Sequence, residues 1–210
     1  LTEQALRAGA AELGVALNDE AIAKLVHYLE LLARWNRVFN LTAIDDTADR
    51  VTLHLLDSLA VIPHLPAGSM VDVGSGAGLP GIPVAIACRE RSVTLLDSSR
   101  KKGAFLQQAI SELGLHGTRV ETARAENYRP QEGFAVVISR AFAKLGIFVS
   151  VAKHLCAAGG RLVAMKGAHP TDELTNLPAA AIEKVVSLAI PGLNAQRHLV
   201  FIDPSRLEPG

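Results

Sequence analysis

The sequence predicts an α/β fold, and three observations predict it. From residue 67 onward, short apolar runs alternate with helix-length stretches, the pattern of a parallel sheet covered by helices on both faces. The last two apolar runs, near 182–190 and 197–202, follow one another with only a loop between them, so a mostly parallel sheet should close on a C-terminal antiparallel hairpin. The first 66 residues carry helical periodicity alone and read as an N-terminal helical cap. The expected division is 1–66 for the cap and 67–210 for one compact sheet unit.

Taken in order, the cap begins its main helix at Asn18, a good N-cap, with Asp19 and Glu20 in the first turn where the helix dipole favours acids. Ile22, Leu25, Leu29, Leu32, Trp35 and Phe39 recur at threes and fours, so one face is apolar and should cover a side of the sheet unit. That stripe makes Trp35 and Phe39 core residues rather than base-stacking platforms, and leaves Arg34 and Arg37 on a solvated edge. Asn40-Leu-Thr-Ala-Ile44 breaks the pattern, and a second helix, about Ala48 to His64, carries Val51, Leu55, Leu59 and Ile62. His54, Asp57 and Ser58 share a face of it. Three side chains on one helical turn do not give the nucleophile, base and orienter geometry of a hydrolytic triad. They read either as a polar patch at the junction of the two parts or as a contact to ligand.

Strands fit near 70–73, 92–97, 118–123, 134–139 and 160–166, and helices near 80–89, 100–113 and 144–157. The first strand leads into Met70-Val-Asp-Val-Gly-Ser-Gly-Ala-Gly-Leu-Pro-Gly-Ile-Pro83. Gly74, Gly76 and Gly78 suit a turn that needs positive φ and close approach of a ligand to the backbone. Pro80 suits a first helical position, and the amides of that helix start are expected to face whatever lies over the turn. Gly76-Ala-Gly78-Leu-Pro-Gly81 matches the dinucleotide fingerprint, with Asp97 about 20 residues on. Yet the glycine series starts at Gly74 behind Asp72, an acid inside the strand. That arrangement resembles motif I of the class I S-adenosylmethionine (AdoMet) methyltransferases, a Rossmann-like fold. The resemblance implies a glycine turn against the methionine end of AdoMet and a second acid, here Asp97, for the ribose hydroxyls. A Rossmann dehydrogenase would begin a second βαβ half where this chain has its hairpin.

Length and composition bound the reading. A chain of 210 residues suits one α/β domain with an appendage. Lys plus Arg and Asp plus Glu are 21 each, so no global field draws nucleic acid and any basic footprint is local. No apolar run approaches the roughly 18 residues of a membrane span, and no secretory leader is evident. Cys88 and Cys156 form no C-x-x-C, which points away from a disulfide framework and from a metal site. A cytoplasmic monomer, off the membrane, is expected.

In open sheets, ligands sit beyond the C-terminal strand ends. That rule gathers Gly74 to Leu79, Asp97-Ser98-Ser99, Ala125-Glu126, Ser139-Arg140-Ala-Phe142 and Lys166-Gly167. Glu126 could accept from an adenine amino group. Arg140 and Lys166 are expected to converge on one crevice, Arg140 holding the AdoMet carboxylate in preference to an RNA phosphate.

Several motifs in fixed order, over about residues 20–203, resemble one family closely. They are Asn40-Leu-Thr-Ala-Ile, His54-Leu-Leu-Asp-Ser-Leu, the glycine stretch, Leu96-Asp-Ser with Lys101-Lys102, Ser139-Arg-Ala-Phe-Ala and Met165-Lys-Gly. The family is ribosomal RNA small subunit methyltransferase G (RsmG, or GidB). The resemblance implies AdoMet-dependent methylation of one guanine, at N7, in the decoding-region loop of bacterial 16S rRNA, either in the small subunit or in an assembly intermediate. It implies AdoMet contacts at Gly74, Leu79, 97–99, Ala125-Glu126 and Arg140. Ser98-Ser99-Arg100 departs from the family's usual residues there.

The chemistry agrees. Guanine N7 already offers an in-plane lone pair, so orientation and electrostatics suffice without a general base. The chain lacks an Asp/Asn-Pro-Pro-aromatic motif after the fourth strand, and neither cysteine sits at a strand end as cytosine C5 chemistry would require. The rival readings are a nicotinamide-dependent oxidoreductase and an RNA-binding module without catalysis.

Overall fold

The computed structural model describes residues 2–39, 41, 51–141 and 144–207. Asn40, residues 42–44 of the Asn-Leu-Thr-Ala-Ile stretch, the expected helix start at Ala48, and Phe142 lie outside the described residues.

Two helices open the chain, α1 (Thr2–Glu12) and α2 (Asp19–Phe39). Asn18 caps α2 as its sequence predicts, its Oδ1 accepting from the Ala21 N–H at 2.8 Å. Leu25, Tyr28, Leu31 and Leu32 are fully buried, and α2 lies against the two helices that follow β1 and β2. The segment expected as one helix from 48 to 64 is less regular. Val51–Leu56 is a π-helical turn, Asp57–Leu59 one α-helical turn, and Ile62–His64 a 3₁₀ turn. Single π turns of this kind recur at functional sites.

Seven strands follow: β1 (Met70–Val73), β2 (Val93–Asp97), β3 (Thr118–Thr122), β4 (Phe134–Arg140), β5 (Cys156–Lys166), β6 (Ile182–Leu188) and β7 (Arg197–Ile202). Their order in the sheet is β3-β2-β1-β4-β5-β7-β6. The first five run parallel, while β7 is antiparallel to both β5 and β6. The closing hairpin is thus inserted strand-last, β7 slotting between β5 and β6. Helices α3 (Gly81–Ala87), α4 (Arg100–Leu113) and α5 (Leu145–Ala152) complete the layers. Met70, Leu95, Ile138 and Met165 face the cap, α3 and α4. Val71, Leu96, Val137 and Ala164 face α5. Strand period fixes this sorting, since neighbouring residues point to opposite faces.

The strands meet their ligand-facing turns at the ends of β1 to β5. Topology changes direction beside β1, where the chain goes to β2 on one side and later to β4 on the other, and a crevice opens at such a switch point.

Candidate active site

The turn after β1 is bonded from several sides. Gly74, Gly76 and Gly78 have φ of 70°, 58° and 86°, the left-handed region that glycine enters without Cβ strain. The N–H groups of Gly74 and Ser75 both donate to the Leu96 carbonyl, at 2.8 and 3.1 Å. Ser75 Oγ donates to the Asp72 carbonyl at 2.8 Å, and Ser139 Oγ to the Val73 carbonyl at 2.7 Å. From the cap, the buried Tyr28 hydroxyl donates to the Ala77 carbonyl at 2.5 Å. Burial raises the Tyr28 phenol's pKa, so it stays a donor.

The three glycines have different neighbours. A Cβ on Gly76 would meet nothing nearer than the Gly74 carbonyl oxygen at 3.8 Å, so its outer side is open. A Cβ on Gly78 would run into the Ile82 side chain and come within 3.0 Å of Leu106, so this glycine permits packing of α3 and α4. From the sequence, the amides at the helix start are expected to face a ligand over the turn, but they are already bonded within the protein, the Ile82 N–H donating to the Gly78 carbonyl at 2.7 Å. Asp72 turns beneath the turn, 1% exposed, and its Oδ2 accepts the Gly81 N–H at 2.9 Å. Its Oδ1 is buried with no hydrogen-bond partner among the described residues. Burial pushes this carboxyl up to about 7, against the pull of the Gly81 N–H and the Arg140 charge.

Asp97 closes the other wall. Its Oδ2 accepts the Gly76 N–H and its Oδ1 the Ser99 N–H, both at 2.9 Å, with Lys102 Nζ 3.8 Å from Oδ2. Ser99 caps α4, its Oγ accepting the Lys102 N–H at 3.4 Å. Between these walls lies a cleft of about 290 Å³, lined by Gly74, Leu96, Asp97, Ser98, Lys102, Ala125 and Glu126 among others. The strand-end rule thus gathers residues that share one cleft on this side. A carboxylate on two backbone amides at the floor of an open cleft can exchange those donors for a diol.

On the far side of the turn the expectation needs correction. Arg140 and Lys166 do not converge, because alternation puts them on opposite faces of the sheet. Arg140 follows Val136 and Ile138 toward the cap, where its Nη1 donates to the Leu53 carbonyl at 2.9 Å and to Asp57 Oδ2 at 3.3 Å. Lys166 follows Leu162 and Ala164 toward α5, where Glu173 accepts from Nζ at 3.0 and 2.9 Å. Burial would raise the Glu173 carboxyl, but bonds from Lys166 and the Leu145 N–H bring it below its ordinary value. Asp57, 3% exposed, also accepts from Arg197 Nε at 2.8 Å. Directly after Arg140, Ala141 has φ of 55°, a strained conformation for a residue with a Cβ and one that clusters at functional sites.

A family model described as rRNA small subunit methyltransferase G (GidB) matches residues 21–200. The chain belongs to that family. Ribosomal RNA small subunit methyltransferase G of Methylobacillus flagellatus is 50% identical over 97% of this chain and 98% of its own. Its counterpart in Nitrosospira multiformis is 52% identical over 92% and 94%. Among solved structures, a predicted O-methyltransferase from Agrobacterium tumefaciens aligns with a TM-score of 0.55 at 23% identity, covering 70% of this chain and 78% of that one. Coclaurine N-methyltransferase bound to N-methylheliamine and SAH aligns at 0.50 and 14% identity, covering 80% and 57%. These likenesses show the class I methyltransferase fold.

In this GidB-family chain, Gly74, Asp97, Ser98, Ala125 and Glu126 share one cleft, while Ser99 works as a helix cap. Leu79 is 4% exposed and packs in the core under the cap. His54 and Ser58 are buried, and Ser58 Oγ donates to the His54 carbonyl at 2.5 Å. Sequence reasoning missed Tyr28, Arg197 and Glu173. Tyr28 falls within the apolar stripe of α2, three residues after Leu25, and a phenol in a buried stripe signals a carbonyl to bond. Arg197 and Glu173 carry no such local signal.

Proposed function

We infer that this protein is an AdoMet-dependent methyltransferase of small-subunit ribosomal RNA, and that its target is N7 of a guanine in the decoding-region loop. Membership of the GidB family supports the reaction and the RNA. The observation that carries the cofactor is the pairing of an open positive-φ glycine turn with Asp97 across one cleft. The residues fit the group: a Cβ at Gly76 would stand in the open space over the turn. Gly74 and Gly76 would lie against its methionine end, Asp97 would take the ribose hydroxyls, and Ala125-Glu126 would border the adenine. Asp72, Gly78, Leu79 and Ser99 support that surface from below rather than touching it. When bound, AdoMet supplies a methyl group on a sulfonium.

Guanine N7 needs no proton removed, so the side chains have to orient the base and exclude water. Both cysteines suit that reading. Burial raises the Cys88 thiol and pushes Cys156 up to about 12. Cys156 begins β5, at the end of the sheet away from the cleft. Neither is placed or ionised as a nucleophile. Lys166, held by Glu173 on the α5 side, serves in this reading as a structural or RNA-facing charge. No described helix is long and apolar enough to cross a membrane. The reading completes itself with a cytoplasmic monomer acting on 16S rRNA during or after subunit assembly.

The test gives the protein labelled AdoMet with free 16S rRNA, assembly intermediates and mature small subunits, then maps the product by N7-methylguanine-specific strand cleavage. Label at one guanine of the decoding-region loop is expected. Label elsewhere, or none on any substrate, would refute it. Titration with NAD and NADP is expected to give no binding where AdoMet binds; the converse would restore the oxidoreductase reading.

A further inference from the structure

The chain carries no net charge, so any footprint for a polyanion has to be built locally. The start of α4 is such a place. Arg100, Lys101 and Lys102 follow one another there, with no acid in the first turn. Cations at the positive end of a helix dipole are unfavourable, and α2 shows the ordinary choice with Asp19 and Glu20. A local rule broken without a local gain marks a functional surface more often than a structural one.

The three cations differ in what they meet. Lys102 Nζ stands 3.8 Å from Asp97 Oδ2 and its side chain lines the cofactor cleft. Arg100 and Lys101 are exposed, and neither forms an ion pair with a described residue. Exposed arginines elsewhere, such as Arg7, Arg89 and Arg206, have carboxylate partners. Lys101 is nevertheless held in place. Its Nζ lies 4.7 Å from the centre of the Phe39 ring, which stacks 5.0 Å from Trp35, itself 5.5 Å from Phe105. A cation resting on an aromatic column gives up less freedom when it binds.

The turn is also tied to the cleft. Asp97 accepts the Ser99 N–H on one oxygen and the Gly76 N–H on the other, and Ser99 caps α4. In the reading above Asp97 takes the ribose hydroxyls of AdoMet. That cofactor has no phosphate, and its carboxylate belongs to the methionine end, against the glycine turn. It therefore offers Arg100 and Lys101 no anion, and the anion they suit belongs to the other substrate.

We propose that the first turn of α4, braced by Phe39 of α2, is a docking surface for the phosphodiester backbone of the RNA, with Arg100 and Lys101 each taking one phosphate beside the cofactor cleft. The proposal rests on the RNA methyltransferase reading above. Phosphate contacts fix the register and orientation of a strand without reading its sequence, which leaves choice of the base to the cleft.

The test is the double variant Arg100→Gln with Lys101→Gln in the full chain, binding free 16S rRNA and small subunits over a range of salt. Two lost phosphate contacts should make the slope of log affinity against log salt shallower by about 1.4–1.8. Affinity at 0.1 M salt should then fall about 25- to 60-fold, with parent and variant converging near 1 M. AdoMet affinity should stay within threefold, and so should turnover at saturating RNA, so that the loss appears in KM. Arg100→Gln alone, at a side chain without an ion pair, should give half the change in slope, and it decides the matter if the double variant fails to fold. Arg206→Gln is the control, because Arg206 follows the antiparallel β7 at the end of the sheet away from the cleft. An unchanged slope in the double variant, an equal change in Arg206→Gln, or a loss of turnover at saturation with RNA affinity intact would overturn the proposal. So would NADP binding by the parent that the double variant loses, since the anion would then be a nucleotide's. The parent runs in parallel: if it transfers no methyl group to RNA, the functional reading itself falls, whereas an active parent with an unaffected variant refutes only the docking surface.

Discussion

Replacing Asp72 by asparagine should stabilise the protein, and the gain should grow with pH. The carboxyl is buried beneath the glycine turn, and burial lifts its pKa from an ordinary 3.8 to about 7. Below pH 4 it is protonated in both folded and unfolded chains, so titration contributes nothing. Between about pH 4 and 7 the unfolded chain ionises while the folded one keeps its proton. Stability is therefore lost as pH rises, and the loss is complete above the folded value. The span from 3.8 to about 7, at about 1.4 kcal/mol per pH unit, caps the effect near 4 kcal/mol. The substituted amide would stay neutral throughout and still offer its Oδ1 to the Gly81 N–H. Urea unfolding of parent and Asp72→Asn at pH 4, 6 and 8 measures the difference directly. Other titrating groups, such as Glu173 and Asp203 with lowered values, cancel in that difference. A stability difference that stays constant from pH 4 to 8 would show that Asp72 titrates normally and that its burial costs the fold nothing.

Three further variants probe the site. Gly76→Val should leave a folded protein, with about 1–2 kcal/mol of backbone strain at φ of 58°, but lose AdoMet binding in calorimetry; unchanged affinity would put the ligand elsewhere. Asp97→Ala should weaken AdoMet by about 1–3 kcal/mol through the lost charge-assisted bonds, and an affinity equal to that of the parent would contradict the ribose role. Tyr28→Phe removes the donor to the Ala77 carbonyl and should cost about 1–3 kcal/mol of stability, the penalty for a buried acceptor left unpaired; a urea midpoint unmoved from the parent's would mean that water satisfies that carbonyl instead.

What was legible in the sequence was local. Met70–Val73, Arg197–Ile202 and Arg100–Leu113 match their expected spans because their apolar patterns mark them without outside help. Strand β5 begins at Cys156, earlier than the run near 160–166 suggests, since Gly159 and Gly160 disguise its first half as a turn. The wall formed by Gly74, Asp97 and Ala125-Glu126 was legible because strand ends locate it. The other wall was not. Whether Arg140 faces the cap or α5 depends on which helices cover each face, a long-range fact that strand period alone does not supply. The same holds for Asp57 with Arg197, 140 residues apart. Arg140 and Lys166, read as neighbours at one mouth, are divided by the sheet itself.

The Tyr28 hydroxyl on the Ala77 carbonyl has a consequence for how this chain can be cut and recombined. The helix that carries it is made first, and the turn it braces comes 49 residues later. A fragment beginning near residue 67 would keep every described strand and all three glycines of the turn, yet that turn would lack the phenol that fixes its apex. Grafting this sheet unit beneath a different helical half would likewise preserve the cleft only if the donor supplied a hydroxyl at the same place. The two halves are therefore not interchangeable parts.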